Sequence, residues 1–328
     1  SLRRRQRQMC IRDSSLYIEK AIKLSLENIR VYCFGDVFKV PSLKRVKGAK
    51  SLEEAKALGG NVKVVYSFLD AIKDAKKYGR TSVFLGIGFE TTAPSYAIPI
   101  LKGLITENLL LMSVLRLTPP AAEYAIKNSI RKEGIPVQGV IAPGHVSTII
   151  GAKPWDEIAR KYGIPSVVSG FEPLDVLLSV ALILKMQVEK TVKTVIEYSR
   201  LVSWEGNTYS QKAIFKVFEK SEGAWRGLGF IPDSSLELKG KYKRYDAFEQ
   251  LGLKRPSGKE WKYDLPQGCK CAEVMLGVAK PMDCRHYMKT CTPSRPLGPC
   301  MVSLEGTCAI WSRFGEGNIL RVLKRSLG

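Results

Sequence analysis

The chain has 328 residues, is 45% hydrophobic and 25% charged, and carries a formal net charge of +21. Such a composition excludes general disorder, and the length allows two or three domains, each with its own core. No apolar run is long enough to span a bilayer; the longest, Val176 to Met186, covers about half a span, includes Lys185 and predicts a buried helix.

Residues 1–14, SLRRRQRQMCIRDS, hold five Arg and one Asp with no apolar stretch behind them, so they do not form a secretory signal. They read as a non-native leader, similar to translated adapter sequence, and without them the body still carries +17.

From residue 15 to about 200, strands and helices alternate. Tyr17 to Asn28 has a helical pattern and IRVYCFGDV (29–37) is strand-like. Ser51 with Glu54 forms a capping-box start for the next helix. NVKVVYS (61–67), TSVFLGIGF (81–89), LLLMSVL (109–115), VQGVIAP (137–143) and IPSVVSGF (164–171) read as strands. FLDAIKDAKKYG (68–79), ETTAPSYAIPILKGLI (90–105) and PPAAEYAIKNSIRKEG (119–134) read as helices between them. Alternation of this kind predicts parallel sheets covered by helices on both faces. Gly88-Phe89-Glu90 recurs as Gly170-Phe171-Glu172, each time between a buried strand and a helix, which points to two related α/β halves. Past residue 203, Trp, Gly, Lys and Pro become frequent and short elements are expected. The predicted organisation is a leader (1–14), a first α/β domain (15–108), a second (109–203) and a small C-terminal domain (204–328) built partly around a metal site.

Six of the eight cysteines, Cys269, Cys271, Cys284, Cys291, Cys300 and Cys308, fall within forty residues. Without an export signal, stable disulfides are not expected, and clustered thiols suggest metal. Structural zinc favours pairs spaced by two to four residues. Here there is one CxC and then gaps of twelve, six, eight and seven, which suits a wrap around an iron–sulfur cluster better than a zinc knuckle. Zinc and plain redox thiols stay as rivals.

Several blocks then carry a resemblance: GFETTAP (88–94), APGHV (142–146), SGFEPLD (169–175), Cys291-Thr-Pro, and the run from Pro296 to Cys308. Together and in this order they resemble HypD, a family of hydrogenase maturation proteins, from about residue 15 to the end. The resemblance implies two Rossmann-like parallel-sheet domains plus a C-terminal iron–sulfur domain. It implies a [4Fe–4S] cluster on Cys269, Cys284, Cys291 and Cys308, with Cys271 and Cys300 as neighbours and Glu305 beside it; Cys300 competes with Cys308 for the fourth place. It also implies a redox-active assembly scaffold in the cytoplasm rather than a turnover enzyme. Its cargo is an Fe(CN)2CO iron; HypC shares the iron, HypE delivers cyano groups, and the hydrogenase large subunit is reached through HypC.

Glu90, Thr91 and Thr92 lie at a strand-to-helix junction, where threonine can cap free N–H groups and the helix start attracts anions. With His145 and Glu172 they are the expected cleft residues; plain capping and a structural histidine are the competing readings. Two further family blocks, CGTHT with the iron-binding cysteine and GPGCPVC with a thiol pair, do not occur in this sequence. The chain is therefore expected to be an N-terminally truncated member that keeps the cluster without completing the iron unit. Cys33 has no partner nearby and is no replacement.

The basic stretches 39–50 and 239–264 interleave lysine with aromatics, leaving a nucleic-acid-binding metalloprotein as one alternative. Scattered acids interrupt them, so solvated charge is the stronger reading. A thiol reductase of the ferredoxin–thioredoxin reductase type, using Cys271 and Cys300 as its pair, is the other.

Overall fold

The computed structural model describes residues 15–131, 137–256, 265–302 and 306–315. Glu305 and the leader with Cys10 lie outside the described residues.

The first sheet starts from helix α1 (Ser15–Leu26) and strand β1 (Arg30–Cys33). Helix α2 (Leu52–Ala57) begins where expected, with Ser51 Oγ accepting from the Glu54 N–H at 3.1 Å. Strand β2 (Val62–Val64), helix α3 (Phe68–Tyr78), strand β3 (Ser82–Gly88), helix α4 (Ala93–Leu101) and strand β4 (Leu109–Arg116) follow. Every residue of β3 and β4 is buried, as their continuous apolar runs predict for strands covered on both faces.

Helix α5 (Thr118–Arg131) leads to a second sheet made of β5 (Val140–Pro143), β6 (Ser166–Ser169) and β7 (Thr194–Ile196). Helices α6 (Gly144–Ile150) and α7 (Lys153–Tyr162) lie between β5 and β6, and α8 (Pro173–Val188) lies between β6 and β7. These three strands are parallel, in the order β5-β6-β7. The chain then returns to the first sheet through α9 (Thr208–Val217), β8 (Phe218–Trp225) and β9 (Gly229–Leu238). That sheet has six strands in the order β2-β1-β3-β4-β9-β8, joined by three parallel and two antiparallel pairings.

Three expectations are corrected here. The first sheet is mixed rather than parallel, because residues 218–238 form a hairpin whose β9 pairs antiparallel with β4. Side chains lock that join: Ser113 Oγ donates to the Leu236 carbonyl at 2.6 Å and Ser235 Oγ to the Leu115 carbonyl at 2.9 Å. Consequently the boundary expected at 108/109 runs through one sheet, since β4 pairs with β3 along its length, and the boundary at 203/204 separates strands of that sheet from it. Helix α8 is not the buried helix its apolarity suggests: Leu174, Leu177, Leu184 and Val188 are all exposed, while Asp175, Ser179 and Met186 face inward. Burial on this helix follows Asp175, which is held by Arg200 at 2.6 Å. No helix among the described residues is long and apolar enough to cross a membrane.

The core of the first sheet includes Phe34, Phe68, Phe84 and Tyr96, whose rings meet edge to face at 4.9–5.6 Å. Trp155 fills the second core, with its indole N–H donating to Ser147 Oγ at 2.9 Å. A third, separate core is made largely of cysteine.

Candidate functional site

The third core lies in helices α10 (Cys271–Met275), α11 (Pro299–Val302) and α12 (Thr307–Phe314) and the turns that link them. Such short helices cannot hold themselves together, so the sulfurs and their backbone donors set the packing. Cys271, Cys291, Cys300 and Cys308 are buried; Cys269 and Cys284 are half-buried, and all six are free thiols.

Turns bring them together. The Cys284 carbonyl accepts from the Tyr287 N–H at 3.0 Å, and the Cys291 N–H donates to the His286 carbonyl at 2.9 Å, folding 284–291 into a tight loop. His286 is half-buried and stitches that loop to Gln267 at 2.9 Å and Thr290 at 2.8 Å. Leu297 N–H donates to Cys291 Sγ at 3.3 Å. Gly298 lies against the CxC pair: a Cβ there would strike Cys271 Sγ and come within 2.9 Å of Cys269 Sγ. Gly306 is equally constrained, because its Cβ would collide with the Cys300 carbonyl.

Hydrogen bonds among the sulfurs set the thiols' proton affinities apart. Hydrogen bonds from Cys271 and Cys300 hold the Cys308 thiol down, to about 4. Cys300 moves up, mainly through Cys271 and Cys308, and its Sγ lies 3.6 Å from the Cys271 carbonyl as a donor. Within the CxC pair, the hydrogen bond between the two sulfurs pushes Cys269 up and draws Cys271 down. Cys271 is thus more central to the thiol network than its expected place as a bystander. Among the described residues, no group of three or more His, Cys, Asp or Glu is arranged around a single metal ion. A cube differs from such a site in that each thiolate binds a different iron.

The expected cleft residues separate into two places. Glu90, at the end of β3, is 2% exposed and accepts from the Thr118 N–H at 2.6 Å and the Thr118 hydroxyl at 2.9 Å. Burial raises its carboxyl to about 7, against the lowering effect of those bonds. It lines a cavity of about 390 Å³ together with Pro119, Glu123, Lys161, Gln211 and Phe215, between helices of the two sheets. Thr92 occupies the N-cap position of α4 but makes no capping side-chain bond, so the plain capping reading fails there. Thr91, one residue earlier, shares this junction.

His145 stands at the end of β5, stacked on Phe171 at 4.3 Å and edge-on to Tyr198 at 6.2 Å. Burial lowers its pKa. It does not line the cavity that Glu90 lines. Glu172 is the N-cap of α8, paired with Asp175 in a capping box, and the Glu172 N–H donates to Asp175 Oδ2 at 3.2 Å. His145, Phe171 and Glu172 therefore occupy the carboxyl edge of the second sheet, where open α/β sheets place their ligands. Sequence reading missed Thr118, Phe171 and Leu297. Only Thr118 carried a signal, as the residue opening a helix before Pro119-Pro120.

The HypD family, described as a hydrogenase formation hypA family, matches residues 8–315. The chain belongs to the HypD family. A HypD hydrogenase maturation factor of Rhodobacter capsulatus is 39% identical, the match covering 91% of this chain and 78% of that protein. A HypD of Cupriavidus necator is 36% identical over 91% of this chain and 78% of its own length. A putative hydrogenase expression/formation protein of Methanocaldococcus jannaschii is 38% identical over 90% of this chain and 80% of its own. The HypD match begins at residue 8, inside the stretch read as a leader.

Proposed function

We propose that this HypD chain is a cytoplasmic, cluster-bearing scaffold for hydrogenase maturation that works with HypC and HypE. The observation that carries this is the gathering of five thiols, Cys269, Cys271, Cys291, Cys300 and Cys308, into one core, with Cys284 hydrogen-bonded to Cys269 at its edge. Soft anionic sulfur is the donor that iron–sulfur clusters require, and an N–H aimed at a sulfur, as from Leu297 to Cys291, is a contact that tunes them. Cys269, Cys284, Cys291 and Cys308 would hold a [4Fe–4S] cluster. Cys300, spent as a donor toward the Cys271 carbonyl, would stay a neighbour. When bound, the cluster supplies one-electron transfer.

The chain's own groups do the rest. Gly298 keeps the CxC sulfurs unobstructed, Arg226 fixes the Leu297 carbonyl at 3.0 Å, and the buried Glu90 can hold a proton near neutral pH in its cavity. The Fe(CN)2CO iron is cargo.

Anaerobic size-exclusion of the reconstituted chain with HypC and HypE tests the partner reading. Co-elution with HypC is expected, together with reversible bleaching of the visible absorption by dithionite. Separate elution of every component overturns the partner reading, and an absorption insensitive to reductant overturns the electron-transfer part.

A further inference from the structure

All five cations of the basic stretch 39–50 are exposed. Its cations sort into two sets. Lys39 pairs with Glu53 at 3.5 Å, Arg45 with Glu54 at 2.9 Å and Lys47 with Glu27 at 3.8 Å. Lys44 and Lys50 are in no ion pair among the described residues, and both line a cavity of about 810 Å³ between α1 and the cysteine segment.

Lys20 and Lys23 from α1 and Arg226 from the β8–β9 turn complete the cationic lining, opposed among the described lining residues by the carboxylate of Glu19. That carboxylate is already engaged, accepting from the Lys44 backbone N–H at 2.9 Å, and burial raises its pKa. Arg226 is buried and donates to the Leu297 carbonyl at 3.0 Å, so it ties the cavity wall in place. Apolar wall comes from Leu43, Val46, Leu265, Pro266, Pro296 and Leu297. Small-molecule sites typically fall between ~300 and ~1,000 Å³, with apolar walls and a few convergent polar groups. Several lysines around one apolar-walled cavity suit phosphate or carboxylate groups on a carbon skeleton.

We propose that this cavity binds a small organic polyanion, held by Lys20, Lys23, Lys44 and Lys50 above the Pro296-Leu297 wall. The same wall carries the N–H that reaches Cys291, so occupancy would be felt at the cysteine core. The inference goes beyond the scaffold reading and does not depend on a cluster.

Calorimetric titration of the full chain with citrate, and separately with fructose 1,6-bisphosphate, tests it and distinguishes carboxylate from phosphate chemistry. Saturable binding of one probe per chain is expected, weakening as salt rises. The triple variant Lys23→Ala, Lys44→Ala, Lys50→Ala should lose about tenfold or more in affinity while its melting curve stays unchanged. A control triple variant in α3, Lys73→Ala, Lys76→Ala, Lys77→Ala, should bind as the parent does. Absence of binding by both probes, or equal losses in the two triple variants, would overturn the proposal. So would a single-stranded RNA oligonucleotide that binds tighter than either probe and loses affinity in the cavity variant.

Discussion

Leu297 joins two systems: its N–H donates to Cys291 Sγ at 3.3 Å, while its carbonyl accepts from the buried Arg226 at 3.0 Å. The α/β body thereby fixes a backbone segment against the cysteine core, and Gly298 follows immediately. A methyl group at Gly298 would meet the sulfurs of Cys271 and Cys269. Gly298→Ala is expected to cost about 1–3 kcal/mol through overpacking and to lower iron uptake on reconstitution. Urea denaturation and iron analysis of the two proteins side by side check this; equal iron content would remove the constraint assigned to Gly298.

Glu90 predicts a pH dependence. Its folded-state pKa is raised to about 7 from 4.5, so the folded chain holds a proton that the unfolded chain has released. The contribution is fully present below the unfolded value and is lost as pH rises through about 7, at most roughly 3 kcal/mol. Glu90→Gln keeps an acceptor for the Thr118 N–H and removes the titration. Melting temperature plotted from pH 5 to 8 should fall less steeply in Glu90→Gln than in the parent, and parallel slopes would count against a buried, titrating Glu90.

The stacking of His145 on Phe171 gives a third test. Burial lowers the histidine pKa, and Phe171 covers one ring face at 4.3 Å. Phe171→Ala should move it up toward the ordinary histidine value, read from the ring proton shifts in an NMR titration. An unchanged midpoint would mean that Phe171 contributes nothing to its desolvation.

What could be read in advance followed from local patterning. The apolar runs of β3 and β4 announced buried strands, and Ser51 with Glu54 announced a helix start. The 218–238 hairpin escaped because its place depends on contacts such as Arg116 with Ser235, 119 residues apart, which no local period reports. Residues 35–37, read as part of a strand, fall in a short helix (Gly35–Phe38), where the chain leaves β1. Helix α8 misled because apolar composition records what a surface can bury, not what it does bury. Cysteine spacing foretold one thiol core, yet the central position of Cys271 depends on Cys300 and Cys308 folding back onto it, which spacing does not encode. Glu90 was legible as a junction residue, while its partner Thr118 lay 28 positions away.

The most direct measurement is anaerobic reconstitution with iron and sulfide, followed by iron and acid-labile sulfide analysis of the parent chain and of Cys284→Ala, Cys291→Ala and Cys300→Ala. The account predicts about four irons and four sulfides per chain, lost in Cys284→Ala and Cys291→Ala and retained in Cys300→Ala. Stoichiometric zinc without labile sulfide would contradict the account.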